Sequence, residues 1–122
     1  MKRLLILMTF SLLSIFSCKA YTDLSVSEFK AMLEKDQSVQ LVDVRTAEEF
    51  AQGHLKGAVN IDWKADDFAQ KVSAQLDKDR PVMLYCRSGR RSAEAAAAAE
   101  KLGFKTFNMK GGILAYEKAY SL

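Results

Sequence analysis

The chain has 122 residues, 49% of them hydrophobic and 27% charged, with 18 basic and 15 acidic side chains for a net charge of +3. That size and balance fit one small domain around a single core and exclude a collagen-like or extensively disordered chain. Six glycines and one proline, spread along the chain, leave no room for a long linker.

In chain order, Lys2 and Arg3 precede an apolar stretch from Leu4 to Phe16 that ends at Ser17-Cys18. The stretch is short for a membrane span, which needs about 20 residues, and suits the core of a secretory signal. Ile15-Phe16-Ser17-Cys18 is similar to a bacterial lipobox. Residues 1–17 therefore read as a signal peptide, cleaved before Cys18, which becomes lipidated and anchors an exported, periplasmic protein to a membrane. A cut after Ala20, releasing a soluble periplasmic form, is the alternative. Loss of residues 1–17 removes two basic and no acidic residues, so the charge falls to +1. A nearly neutral domain offers no broad electrostatic footprint for nucleic acid.

Strands and helices then alternate. Ser25 and Glu28 have capping-box spacing, and Val26, Phe29, Met32 and Leu33 follow at helical intervals. Val39–Val44 reads as a strand. Thr46 and Glu49 repeat the capping spacing and predict a short helix through Phe50 that stops near Gly53. Ala58–Ile61 reads as another short strand, and Phe68, Val72 and Leu76 mark one face of a third helix. Val82-Met83-Leu84-Tyr85 is a buried strand, followed after a polar loop by an Ala-rich helix over Ser92–Leu102 with Gly103 as its stop. Phe104–Phe107 alternates as a strand, and Gly111-Gly112 breaks the chain before a last helix with Ile113, Leu114 and Tyr116. Such alternation implies an α/β fold on a mostly parallel sheet, with its site at the carboxyl ends of the strands.

The polar loop is Cys86-Arg87-Ser88-Gly89-Arg90-Arg91-Ser92. It places one thiol at a strand end and beside a helix N-terminus, where free backbone N–H groups converge on an anion. Arg87, Arg90 and Arg91 add positive charge. These surroundings favour the thiolate, the reactive form of cysteine. Cys86 is thus the candidate nucleophile, and residues 87–92 are the candidate substrate cradle. With Cys18 lipidated or removed, Cys86 has no internal disulfide partner. His54 is the only histidine, which leaves no zinc-like cluster; it reads as a turn brace rather than a base for Cys86.

The loop resembles the active-site loop of the rhodanese (sulfurtransferase) family, specifically its single-domain members. Two further matches flank it. One runs through Leu41-Val42-Asp43-Val44-Arg45, Glu48-Glu49-Phe50 and Gly53-His54-Leu55-Lys56-Gly57-Ala58-Val59-Asn60-Ile61. The other is Gly103-Phe104 and then Gly111-Gly112-Ile113-Leu114-Ala115-Tyr116, with Tyr116 where the family usually has tryptophan. The resemblance spans residues 21–120 and implies a parallel sheet of about five strands with helices on both faces. It implies persulfide chemistry on Cys86, with thiosulfate or polysulfide as the small anionic donor and a thiol or cyanide as acceptor, and no metal or organic cofactor. Asp43 and Arg45 are given a supporting role, Arg45 pairing a carboxylate such as Glu49. Arg91 is expected to brace the loop, while Arg87 and Arg90 meet the donor. Two alternatives stay open. One is a sulfur-binding module that delivers only to a partner protein. The other is a cysteine-dependent phosphatase or arsenate reductase, whose loop places an arginine six residues after the cysteine, where this chain has Ser92.

Overall fold

The computed structural model describes residues 20–122. The apolar leader, the lipobox-like stretch and Cys18 lie outside the described residues. Five strands and five helices alternate: β1 (Thr22–Leu24), α1 (Val26–Lys35), β2 (Gln40–Asp43), α2 (Ala47–Ala51), β3 (Val59–Asn60), α3 (Phe68–Gln75), β4 (Val82–Tyr85), α4 (Arg90–Lys101), β5 (Thr106–Met109) and α5 (Gly112–Ala119). All strand pairs are parallel, in the order β1-β5-β4-β2-β3.

Strand β4 lies at the centre, flanked by β2 and β5, and is apolar at every position because helices cover both faces of the sheet. The side-chain period of two sorts its residues. Val82, Leu84 and Cys86 join one core with Phe68 and Val72 of α3 and with Ala95, Ala96 and Ala99 of α4. Met83 and Tyr85 join the other, with Phe29 of α1 and Ile113 of α5. The alanines are fully buried, so small side chains let α4 lie close on the sheet. The same alternation aims Cys86 at the N-terminus of α4.

Both capping boxes form. Ser25 accepts from the Glu28 amide at 3.1 Å, and the Glu28 carboxylate accepts in turn from the Ser25 amide at 2.8 Å. Thr46 and Glu49 do the same at 3.1 and 3.0 Å. Each such cap contributes about 1 kcal/mol.

Strands β2 and β3 are each one residue shorter at either end than the sequence reading, two starts differ by two residues, and one strand carries no sequence signal. Helix α4 begins at Arg90, because Gly89 turns the chain with a φ of +99°. Ser92 is therefore already a buried helical residue. Strand β5 starts at Thr106: the Phe104 amide closes onto the Ala99 carbonyl at 3.2 Å, and its ring enters the core below the end of α4. The alternation of Phe104 with Thr106 belongs to a turn followed by a strand. Strand β1 is three residues long and pairs only with β5, too short to show a period.

Candidate active site

Three strand ends meet where β4 gives way to the loop. Cys86 follows β4, Asp43 ends β2, and the Gly111-Gly112 turn follows β5. The loop's shape follows from where its carbonyls go. The first turn of α5 has free N–H groups, and two of them take the outward carbonyls: Ile113 donates to Cys86 O at 2.9 Å and Leu114 to Arg87 O at 3.2 Å. With those oxygens held outside, the following amides face inward. Gly89 donates to Cys86 Sγ at 3.1 Å and Ser92 at 3.4 Å, with the Ser92 hydroxyl 3.3 Å away.

Cys86 is 1% exposed. The polar loop is thus an exposed rim of Arg87, Ser88 and Arg90 around a thiol that is itself covered. Burial pushes this thiol up, but the Ser92 hydroxyl and the amides of Ser92, Gly89 and Ser88 outweigh it. The net result lies below the ordinary thiol value. The sulfur is buried, and the backbone donors around it favour its charged form.

Arg45 corrects the sequence reading. It pairs with Asp43 and not with Glu49: its Nη2 lies 2.6 Å from Asp43 Oδ2 and its Nε 3.0 Å from both carboxylate oxygens. Asp43 also accepts from the Arg45 amide at 2.9 Å, and Arg45 Nη2 reaches the Gly53 carbonyl at 2.7 Å. Two residues apart on extended chain share one face, so the nearest carboxylate is the one behind it in sequence. The pair closes the end of β2 and ties it to the α2–β3 connection.

Glu49 belongs instead to Arg91, which grips it with two parallel bonds of 2.8 and 3.0 Å. That grip, helped by Thr46, holds the Glu49 carboxyl down to about 2 against the opposing effect of burial. Arg91 thereby joins the first turn of α4 to the capping box of α2, and its charge also acts on Cys86. Because Glu49 sits lower in the folded chain than in the unfolded one, the pair stabilises the fold above pH 4.5 and fades as pH falls toward 2. Arg91→Ala should therefore cost about 1–2 kcal/mol in urea unfolding at neutral pH. The difference from the parent should vanish near pH 2; a deficit unchanged with pH would refute the ionic origin.

The other two arginines face different hollows. Arg90 lines a cleft of about 360 Å³ with Lys64, Ser88, Arg91 and Glu94, directly over the loop. Arg87 lines a hollow of about 190 Å³ with Arg45, Glu49, Gln52, Ile113 and Glu117. Lys64 and Glu94 escaped the sequence reading: Lys64 sits in an irregular connection without a motif, and Glu94 is one of several polar helix positions. Glu94 accepts from Trp63 Nε1 at 3.0 Å, which fixes one wall of the cleft. Asn108 was missed too; it touches the site through Ser92 at 2.6 Å. His54 bonds the Phe50 carbonyl at 3.0 Å and stacks on the Phe50 ring at 3.7 Å.

A parallel α/β sheet with a buried cysteine at the end of its central strand, its sulfur facing the amides of the loop that follows, defines a cysteine-loop domain. The chain belongs to the rhodanese family: the model of the rhodanese-like domain matches residues 25–119. It is similar to the Bacillus subtilis protein YtwF, with 38% identity over 95 residues, 78% of this chain and 89% of that one. It is similar also to thiosulfate sulfurtransferase GlpE of Shewanella oneidensis, with 34% identity over 82% of this chain and 96% of that one. Among solved structures, a rhodanese-like domain protein from Staphylococcus aureus superposes with a TM-score of 0.69 at 30% identity, covering 78% of this chain and 90% of that one.

Proposed function

We propose that the protein is a sulfurtransferase that carries sulfane sulfur as a persulfide on Cys86. The observation that carries this reading is the sulfur environment: Sγ receives the Gly89 and Ser92 amides at 3.1 and 3.4 Å on a buried side chain. In the loading step the thiolate attacks the outer sulfur of thiosulfate. A new S–S bond forms, the old one breaks, and sulfite leaves with the electron pair. Polysulfide is the alternative donor. Arg90 and Lys64 on the cleft, with Arg87 across the loop, supply positive charge for either anion. The loop amides then serve the negative terminal sulfur as an oxyanion hole serves oxygen. An acceptor thiolate, or cyanide, attacks that sulfur and regenerates the Cys86 thiolate, giving ping-pong kinetics.

A phosphatase reading fares worse, because a phosphate-binding arginine would have to stand where Ser92 is buried against Cys86. Intact mass after thiosulfate should show one added sulfur, removed by cyanide. Turnover with thiosulfate, polysulfide and a phosphate ester completes the test. Loading without cyanide turnover would identify a module that delivers to a protein acceptor; phosphate ester hydrolysis without loading would overturn the reading.

For location, we infer export, removal of residues 1–17 and lipidation of Cys18, which would hold the domain at the periplasmic side of a membrane. Labelled palmitate should enter the wild type and not a Cys18→Ala protein. Equal labelling of the two would refute the assignment.

A further inference from the structure

Ser92 Oγ lies between two partners, Cys86 Sγ at 3.3 Å and Asn108 Oδ1 at 2.6 Å, and Ser92 is fully buried. A hydroxyl has one proton to give. The orientation of the Asn108 amide decides who competes for it. Asn108 Nδ2 donates to Asp23 Oδ1 at 3.0 Å and, more weakly, to the Gly89 carbonyl at 3.4 Å. Both of those groups only accept, so the amide cannot be turned around. The atom facing Ser92 is therefore an oxygen, and it too can only accept.

The proton's position then depends on the charge of Cys86. Beside a neutral sulfur, the Ser92 hydroxyl donates to Asn108 at the shorter distance. Beside a thiolate, a charge-assisted bond is about twice as strong as a neutral one, and the hydroxyl rotates to sulfur. We propose that Asn108, held by Asp23, is a positioning residue that keeps the Ser92 hydroxyl in reserve and yields it to Cys86 whenever that sulfur becomes an anion. The proposal rests on the sulfur-transfer reading for one step. When the acceptor takes the outer sulfur, the S–S bond to Cys86 breaks and its electron pair falls on Sγ. The hydroxyl then turns to that new anion, with no proton transferred. On reloading, Sγ becomes neutral and the hydroxyl returns to Asn108.

Apart from Asp23, which loses the Asn108 amide in either Asn108 variant, the paired charged side chains around Cys86 have partners other than residues 92 and 108. Arg91 of α4 acts on it directly and is itself paired with Glu49, with Asp62 also acting on Arg91. Asp43 at the end of β2 is closed by Arg45. Arg87 and Arg90 are on the exposed rim, and Asp23 of β1 stands behind Asn108.

The test is the pH dependence of iodoacetamide alkylation of Cys86 in the full chain, which reads the hydrogen bond whether or not sulfur transfer occurs. Asn108→Leu and Asn108→Ala both remove the competing oxygen, with opposite changes in packing. Each should lower the alkylation midpoint by about half a pH unit. Ser92→Ala should raise it by about one. In the Ser92→Ala background, Asn108→Ala should have no further effect, which a purely structural role would not produce. An unchanged midpoint in both Asn108 variants, or the same shift with and without Ser92, would overturn the proposal.

Discussion

Cys86→Ser should abolish persulfide loading and lower thiosulfate-dependent transfer by on the order of 10⁴-fold or more, as loss of a covalent nucleophile does. The change replaces sulfur by oxygen in a site where Gly89 and Ser92 amides already point at that atom. Those donors can serve a hydroxyl, so the fold should survive, and the side chain stays within the core beside Val42 and Leu84. A hydroxyl stays protonated at neutral pH and forms no persulfide. Intact mass after thiosulfate reads the result directly. A serine variant that still gained one sulfur would remove Cys86 from the mechanism, while an unfolded variant would show as a lost cooperative melt.

The parts of this site that the sequence displays are those written in contiguous residues. The two capping boxes need only a hydroxyl and a carboxylate three residues apart, and both form at Ser25/Glu28 and Thr46/Glu49. The loop after β4 needs a strand, a glycine and a helix in succession, and Val82–Lys101 supplies them. What stayed hidden needs two distant segments to meet. Arg91 and Glu49 are 42 residues apart, and the local capping role of Glu49 masks its second partner. Arg45 is the exception: Asp43, Glu48 and Glu49 all lie within four residues of it, and the extended end of β2 selects Asp43. Asn108 lies beyond the strand expected over Phe104–Phe107, and its burial shows only once β5 is seen between β1 and β4. The α/β order and the strand-end site were legible because they follow from alternation. The start of β5 was not, because Phe104 and Phe107 carry apolar signal across a boundary that a turn bond sets.

This division explains why the sulfur site depends on residues far from Cys86 in sequence. Amides turn toward sulfur only because the carbonyls before them are occupied elsewhere, and the donors that occupy them open α5. The loop and the Gly111-Gly112 turn therefore act as one unit, built from two glycine-dependent corners. At Gly89 a Cβ would stand 3.0 Å from the Gly111 amide nitrogen, with φ at +99°. The two corners approach each other backbone to backbone, and side chains have no place between them.

Gly112→Ala should be the most damaging single methyl in the domain, costing about 4 kcal/mol or more. Gly112 has φ of +65°, and a Cβ there would lie 2.2 Å from the Arg87 carbonyl oxygen and 2.6 Å from the Ser88 nitrogen. Neither atom can move without breaking the bonds from Ile113 and Leu114 that orient the loop. Gly57 provides the control: its φ is +86°, yet a Cβ there meets nothing within 4 Å. Gly57→Ala should bear only the backbone penalty of about 1–2 kcal/mol. Urea unfolding of the two variants separates steric from conformational cost. Where Gly112→Ala still folds, its loop must give way, so the Cys86 alkylation midpoint should rise toward that of an ordinary thiol and sulfur loading should fall with it. Equal losses in the two variants, with the Cys86 midpoint unmoved, would show that the close packing of α5 against Arg87 does not shape the sulfur site.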